Sequence, residues 1–221
     1  MTLIIASAHG KPPAVVHGAD MIEIRADDIG VDEIESLVPS FLKATSLPTV
    51  FTIRSVEEGG NFSGDNAHRT TLLRTALESK NPPKYIELTT GSIGKIQNCF
   101  KKDADLNLSA STGSSFEIDK GSGSINQMKV DLSTGAAIKI EKNLHINHLS
   151  LNASTGSTFE SGNEVVIESS EVMVSSGASV DIYGTLEISG KVSSGGNIEV
   201  EKNTIRTDIT TSTGGSLNVD C

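Results

Sequence analysis

Charged residues sit inside otherwise apolar, β-prone segments of this chain. In Asp20–Arg25 (DMIEIR), Glu23 and Arg25 are two residues apart, which on a strand places both side chains on one side. Pro48–Arg54 (PTVFTIR) ends in Arg54 and runs into SVEEGG, which carries Glu58. Lys84–Leu88 (KYIEL) carries Glu87. Charges within apolar strands are costly unless they are paired or meet a ligand. Two guanidinium groups, Arg25 and Arg54, suit a small carboxylate through bidentate hydrogen bonds. A structural ion-pair network across neighbouring strands explains the same spacing, so both readings stand.

The elements that must position these residues alternate. Thr2–Ser7, Asp20–Arg25, Pro48–Arg54 and Lys84–Leu88 read as strands, rich in β-branched residues. Val31–Lys43 spaces Ile34, Leu37, Val38 and Phe41 as one helical face, with Pro39 straining its middle. Asp65–Lys80 opens on an Asp able to cap a helix and aligns Leu72, Leu73, Ala76 and Leu77. Strands separated by helices imply parallel βαβ units, whose functional residues gather at the C-terminal strand ends.

Composition changes abruptly between Phe100 and Asp105. Residues 1–102 hold all six prolines and a net charge of −1; residues 103–221 hold no proline and a net charge of −9. This predicts two domains, 1–102 and 103–221. The overall charge of −10 argues against binding nucleic acid or an anionic membrane. No apolar run reaches the roughly 20 residues of a membrane span, and no signal peptide is visible, so the expected location is cytoplasmic, or extracellular if the second half is an adhesive surface. Cys99 and Cys221 alone make neither a disulfide framework nor a zinc site.

MIEIRAD followed by PTVFTIRSVEEGG and GNFSGDNAHRTTLLRTALESKNPPKYIEL resembles type I 3-dehydroquinate dehydratase, especially its shorter archaeal members. The likeness spans residues 1–100 and implies the first half of a (β/α)8 barrel, about four βα units. It implies that Glu23, Arg25 and Arg54 contact the hydroxyls and carboxylate of dehydroquinate, that Glu58 joins the catalytic polar network, and that Glu87 matches the acidic position on strand four. The same family uses a Schiff-base lysine and a proton-shuttling histidine on the following strands. Leu106–Phe116 (LNLSASTGSSF) offers neither. Lys142 and His145 come later, in reverse order, and read as solvated side chains.

The second half repeats. Ser-Thr/Ser-Gly corners end at Gly113, Gly135, Gly156, Gly177, Gly195 and Gly214, spaced 18–22 residues apart, each between short alternating strands. This predicts a parallel β-helix of about six coils, and the absence of proline agrees. Narrow coils also explain an aromatic content of only 4%. The STG-centred repeat, over residues 105–219, resembles the head GIN domain of auto-transporter adhesins. No calcium-binding pattern is seen, and neither a metal nor a cofactor is expected. His145 and His148, three apart, should face opposite sides of a strand.

Two functional classes follow. One is a non-catalytic, adhesion-type β-helix protein carrying an incomplete dehydroquinase-like domain that binds a dehydroquinate-like carboxylate. The other is a 3-dehydroquinate dehydratase of the shikimate pathway whose lysine and histidine come from unconventional positions. Four strands would leave an open barrel edge. That edge should be covered by the coil near Leu106–Ile118 or by a second copy in a homodimer.

Overall fold

The structure is a computed structural model describing residues 5–9, 18–29, 33–54, 56, 59–77, 79, 82–88, 91, 93–96, 104–119, 123–141, 143–201 and 204–219. The first strands are β1 (Ile5–His9), β2 (Met21–Arg25), β3 (Thr49–Ile53) and β4 (Tyr85–Leu88). They lie side by side, all parallel and in chain order. Helix α1 (Ile34–Ala44) joins β2 to β3, and α2 (Asn66–Leu77) joins β3 to β4. Asp65 caps α2: its Oδ1 accepts the His68 amide hydrogen at 2.9 Å. Leu72, Leu73 and Ala76 are buried, as their spacing predicts. Pro39 does stand inside α1, where its ring removes one helical donor.

After β4 the pattern changes from strand–helix to strand–strand. Short strands β5 (Ile93–Ile96), β7 (Ser115–Ile118), β9 (Ala137–Ile140), β11 (Thr158–Ser161), β13 (Ser179–Ile182), β15 (Asn197–Val200) and β17 (Ser216–Val219) form a second parallel sheet of seven strands. The strands between them are β6 (Ala104–Ala110), β8 (Gly123–Leu132), β10 (Leu144–Ala153), β12 (Val166–Val174), β14 (Thr185–Val192) and β16 (Arg206–Thr211). These six continue the first sheet directly from β4, giving ten strands in the order β1-β2-β3-β4-β6-β8-β10-β12-β14-β16. The second half is therefore a parallel β-solenoid, and its first coil covers the edge of β4. Tyr85 pairs with Asn107, and Leu88 with Ala110.

Three details revise the sequence expectations. The fourth unit is not βα, because β4 is followed by β5. The first four strands form the open end of one extended sheet. The solenoid has about five turns rather than about six coils. A corner also occurs upstream of the repeat as first counted. Gly91, 22 residues before Gly113, has φ +66°, and its N–H donates to the Thr112 carbonyl at 2.9 Å. Of segment 100–105, where composition changes, Ala104 and Asp105 open β6, and the rest lies outside the described residues.

The corners share one geometry. Thr134 (φ +49°) and Gly135 (φ +72°) are both left-handed, and the Ala136 N–H returns to the Ser133 carbonyl at 3.1 Å. Glycine N–H groups then stitch coil to coil: Gly113 to Thr134 and Gly135 to Thr155, each at 3.0 Å. Between the sheets, inward residues stack in register as Leu108, Val130, Leu151 and Val172 on one side. Phe116, Ile138, Phe159 and Val180 stack on the other. They join the residues under α1 and α2 in one buried cluster, so the helices and the second sheet cover the same face of the long sheet. No helix among the described residues is long and apolar enough to cross a membrane.

Candidate ligand-binding face

The face of the long sheet away from the helices carries the predicted site. Parallel pairing lines its residues up in rows. One runs Ser7, Glu23, Val50, Tyr85, Asn107, Lys129, and the next His9, Arg25, Thr52, Glu87, Ser109, Asp131. Period-two alternation thus brings Glu23, Arg25 and the Glu87 position onto one face, and β6 and β8 extend that face into the solenoid. Glu58 lies outside the described residues, as does Lys142.

Arg25 is held by Asp27 in a bidentate pair. Nε donates to Oδ1 at 2.9 Å and Nη2 donates to Oδ2 at 2.6 Å, with the Asp27 side chain fully buried. Asp27 also accepts the Asn61 amide hydrogen at 3.1 Å, and the Asn61 side chain donates to Asp28. Burial pushes the Asp27 pKa upward, but the Arg25 hydrogen bond and the Asn61 amide outweigh it and hold the carboxyl below its ordinary value. The Arg25 guanidinium is raised by the same hydrogen bond.

Arg54 is more open. Its Nη2 stands 4.0 Å from Glu23 Oε1, and the Ser7 hydroxyl donates to the other Glu23 oxygen. Beneath this cluster, the Thr52 Oγ1 is fully buried with no hydrogen-bond partner among the described residues. Gly60 explains the end of the EGG segment: a Cβ there would lie 2.3 Å from the Arg54 carbonyl oxygen, so only glycine lets the loop fold back on the strand end. The Phe62 N–H then donates to that carbonyl at 3.1 Å.

Three contributors escaped the sequence reading. Asp27 follows Arg25 at the same two-residue spacing, a signal that was available, whereas Ser7 lies on β1 and meets Glu23 only through the β1–β2 register. Lys129, whose Nζ is 3.2 Å from Asp131 Oδ2, is legible only from the sheet order. With Met21, Val50, Tyr85 and Asn107 this pair borders a depression of about 260 Å³.

The histidines correct one expectation. His145 and His148 both point outward, because β10 shifts its alternation at Asn147, leaving two successive outward positions between buried Ile146 and Leu149. They meet different partners: His145 Nε2 is 3.1 Å from Glu168, and His148 Nδ1 is 2.6 Å from the Ser169 hydroxyl. Elsewhere, Glu117, Asp119 and Glu141 place carboxylate oxygens within 4.8 Å of one another, with Glu141 3.4 Å from the Lys139 ammonium.

The fold is that of a parallel β-solenoid entered through βα units, and the comparisons with known proteins concern those units. The type I 3-dehydroquinase family matches residues 8–106. The 3-dehydroquinate dehydratase of Methanosarcina barkeri is 36% identical over 85 residues, covering 36% of this chain and 35% of the relative. That of Desulfotalea psychrophila is 42% identical over 73 residues, covering 33% and 30%. The bifunctional 3-dehydroquinate dehydratase/shikimate dehydrogenase of Arabidopsis thaliana is 42% identical over 62 residues, covering 28% and 10%. The chain spans about a third of the length of the first two of these relatives. No solved structure matches it significantly.

Proposed function

We propose that the chain is a non-catalytic binding protein of the adhesion type. In it, a β-solenoid display surface carries the first βα units of a dehydroquinase-like barrel, and those units retain a weak site for a small hydroxylated carboxylate. The observation that carries this reading is the identity of the strand beside β4. Where the dehydratases continue into strands bearing histidine and lysine, the chain places β6, Ala104–Ala110 (ADLNLSA), with neither. Arg25 is already neutralised by Asp27 in a bidentate pair, whereas Arg54, 4.0 Å from Glu23, is the more exposed guanidinium and the better placed to meet a carboxylate. The test is incubation with dehydroquinate followed over hours at 234 nm, together with titration monitored by NMR. Shifts around Arg54 without turnover support the reading, and turnover well above buffer overturns it.

A second reading has one observation in its favour. Lys129 shares its register row with Glu23 and sits beside the depression next to β4. As a lyase, the chain would condense this amine with the substrate ketone, releasing water, and borohydride would then trap the imine. An unchanged protein mass after that treatment eliminates this route.

A further inference from the structure

A cavity among the described residues runs along the outer face of the long sheet, mostly over the solenoid strands. It is a trough of about 580 Å³ that crosses six neighbouring strands, from β4 to β14. At about 4.8 Å per strand it runs roughly 24 Å. Its floor is set by the small side chains of Ser150 and Ser189, which share one outward register row with Lys129 and Glu171. Longer ones, Gln127, Lys129 and Glu171, rise beside them.

We infer that this trough binds an extended, uncharged, polyhydroxylated chain, an oligosaccharide. The inference rests on the binding-protein reading above and gives it a ligand class.

Four observations support this choice. The trough lies on a sheet face, where backbone N–H and C=O groups are already spent on the ladder, so recognition must come from side chains. A peptide strand, which adds to a free sheet edge, has no such edge here. Half of the lining residues are hydroxyls and carboxamides, group types that both donate and accept, which matches the paired donor–acceptor character of sugar hydroxyls. Its charges balance: Lys84 and Lys129 stand against Asp105 and Glu171, on a chain of net charge −10 that repels anionic polymers. Tyr85, 38% exposed at the β4 end, supplies one aromatic face, and His148 keeps the ring nitrogen not engaged by Ser169.

The test uses the full chain with three uncharged probes, cellohexaose, maltohexaose and chitohexaose, and hexagalacturonate as the charged control, by calorimetry and NMR. At least one uncharged probe should bind with shifts confined to the trough. Ser150→Glu, which fills and charges the floor at an exposed position, should weaken that binding at least tenfold while leaving circular dichroism unchanged. Three outcomes overturn the inference: no uncharged probe binding at millimolar concentration, hexagalacturonate binding alone, or affinity unaltered by Ser150→Glu. Dehydroquinate turnover by the same preparation would defeat the non-catalytic reading separately, because the oligosaccharide titrations read binding and not turnover.

Discussion

Arg25 and Asp27, on either side of the end of β2, are joined by two hydrogen bonds of 2.9 and 2.6 Å, and the aspartate is wholly buried. Losing the charge of one partner strands the other in a low-dielectric setting. Asp27→Asn should therefore cost about 3 kcal/mol in urea denaturation at pH 7. The pH dependence has a definite sign. The folded pKa of Asp27 lies below its ordinary value of 3.8, so the unfolded chain binds this proton more readily. The stabilisation is fully present above that ordinary value and is lost as pH falls through the lower folded pKa. The gap between wild type and Asp27→Asn should hold from pH 7 to about pH 5 and close below about pH 4. A gap independent of pH would show that shape, not charge, holds the pair.

The two glycines of the loop after β3 should behave differently. At Gly60 a Cβ meets the Arg54 carbonyl oxygen at 2.3 Å, whereas at Gly59 (φ +75°) it meets nothing within 4 Å. Gly59→Ala should cost about 1 kcal/mol, the strain of a left-handed alanine. Gly60→Ala must push the loop off the strand and should cost about 2–3 kcal/mol. It should also shift the Arg54 and Phe62 resonances. Equal costs at the two positions would refute the close packing of this loop on Arg54.

A parallel contrast exists in the solenoid. Gly190 (φ +136°) sits in the inward row between Val172 and Ile209, and its added Cβ would lie 1.9 Å from the Val172 carbonyl oxygen. Gly135 (φ +72°) turns a corner into open space. Gly190→Ala should cost about 3 kcal/mol or more, because two stacked coils must separate, and Gly135→Ala about 1 kcal/mol. Thermal denaturation of the two variants decides it.

The same contrast marks what the sequence could and could not reveal. The strands holding Glu23, Arg25 and Arg54 were legible because alternation and flanking helices are local signals. So were the corners, because Ser-Thr-Gly recurs. The junction was not. β4 reads as a barrel strand from its neighbours before it, yet it also pairs with β6, and nothing local to Lys84–Leu88 specifies which partner comes next. Gly91 was the missed clue, since it stands one repeat ahead of Gly113. The outward pairing of His145 and His148 was hidden for a related reason. At Asn147 the alternation shifts by one residue, and period-two reasoning has no means of placing that shift.

The last prediction concerns the residue before each corner glycine. Thr134 has φ +49°, and Thr112, Thr155 and Thr213 are likewise between +48° and +52°. A β-branched side chain in this region carries a steric penalty that asparagine largely escapes. Thr134→Asn preserves the turn closed by Ser133 and Ala136 and the stitch from the Gly135 N–H to the Thr155 carbonyl, both made by backbone atoms. It should therefore stabilise the chain by about 0.5–1 kcal/mol. The same change at Thr213, four coils further on and so roughly 19 Å away, should add nearly independently, since each relieves its own backbone. Chemical denaturation of the single and double variants measures this. A loss of stability at either site would mean that the threonine side chain makes a contribution between coils larger than the strain it carries.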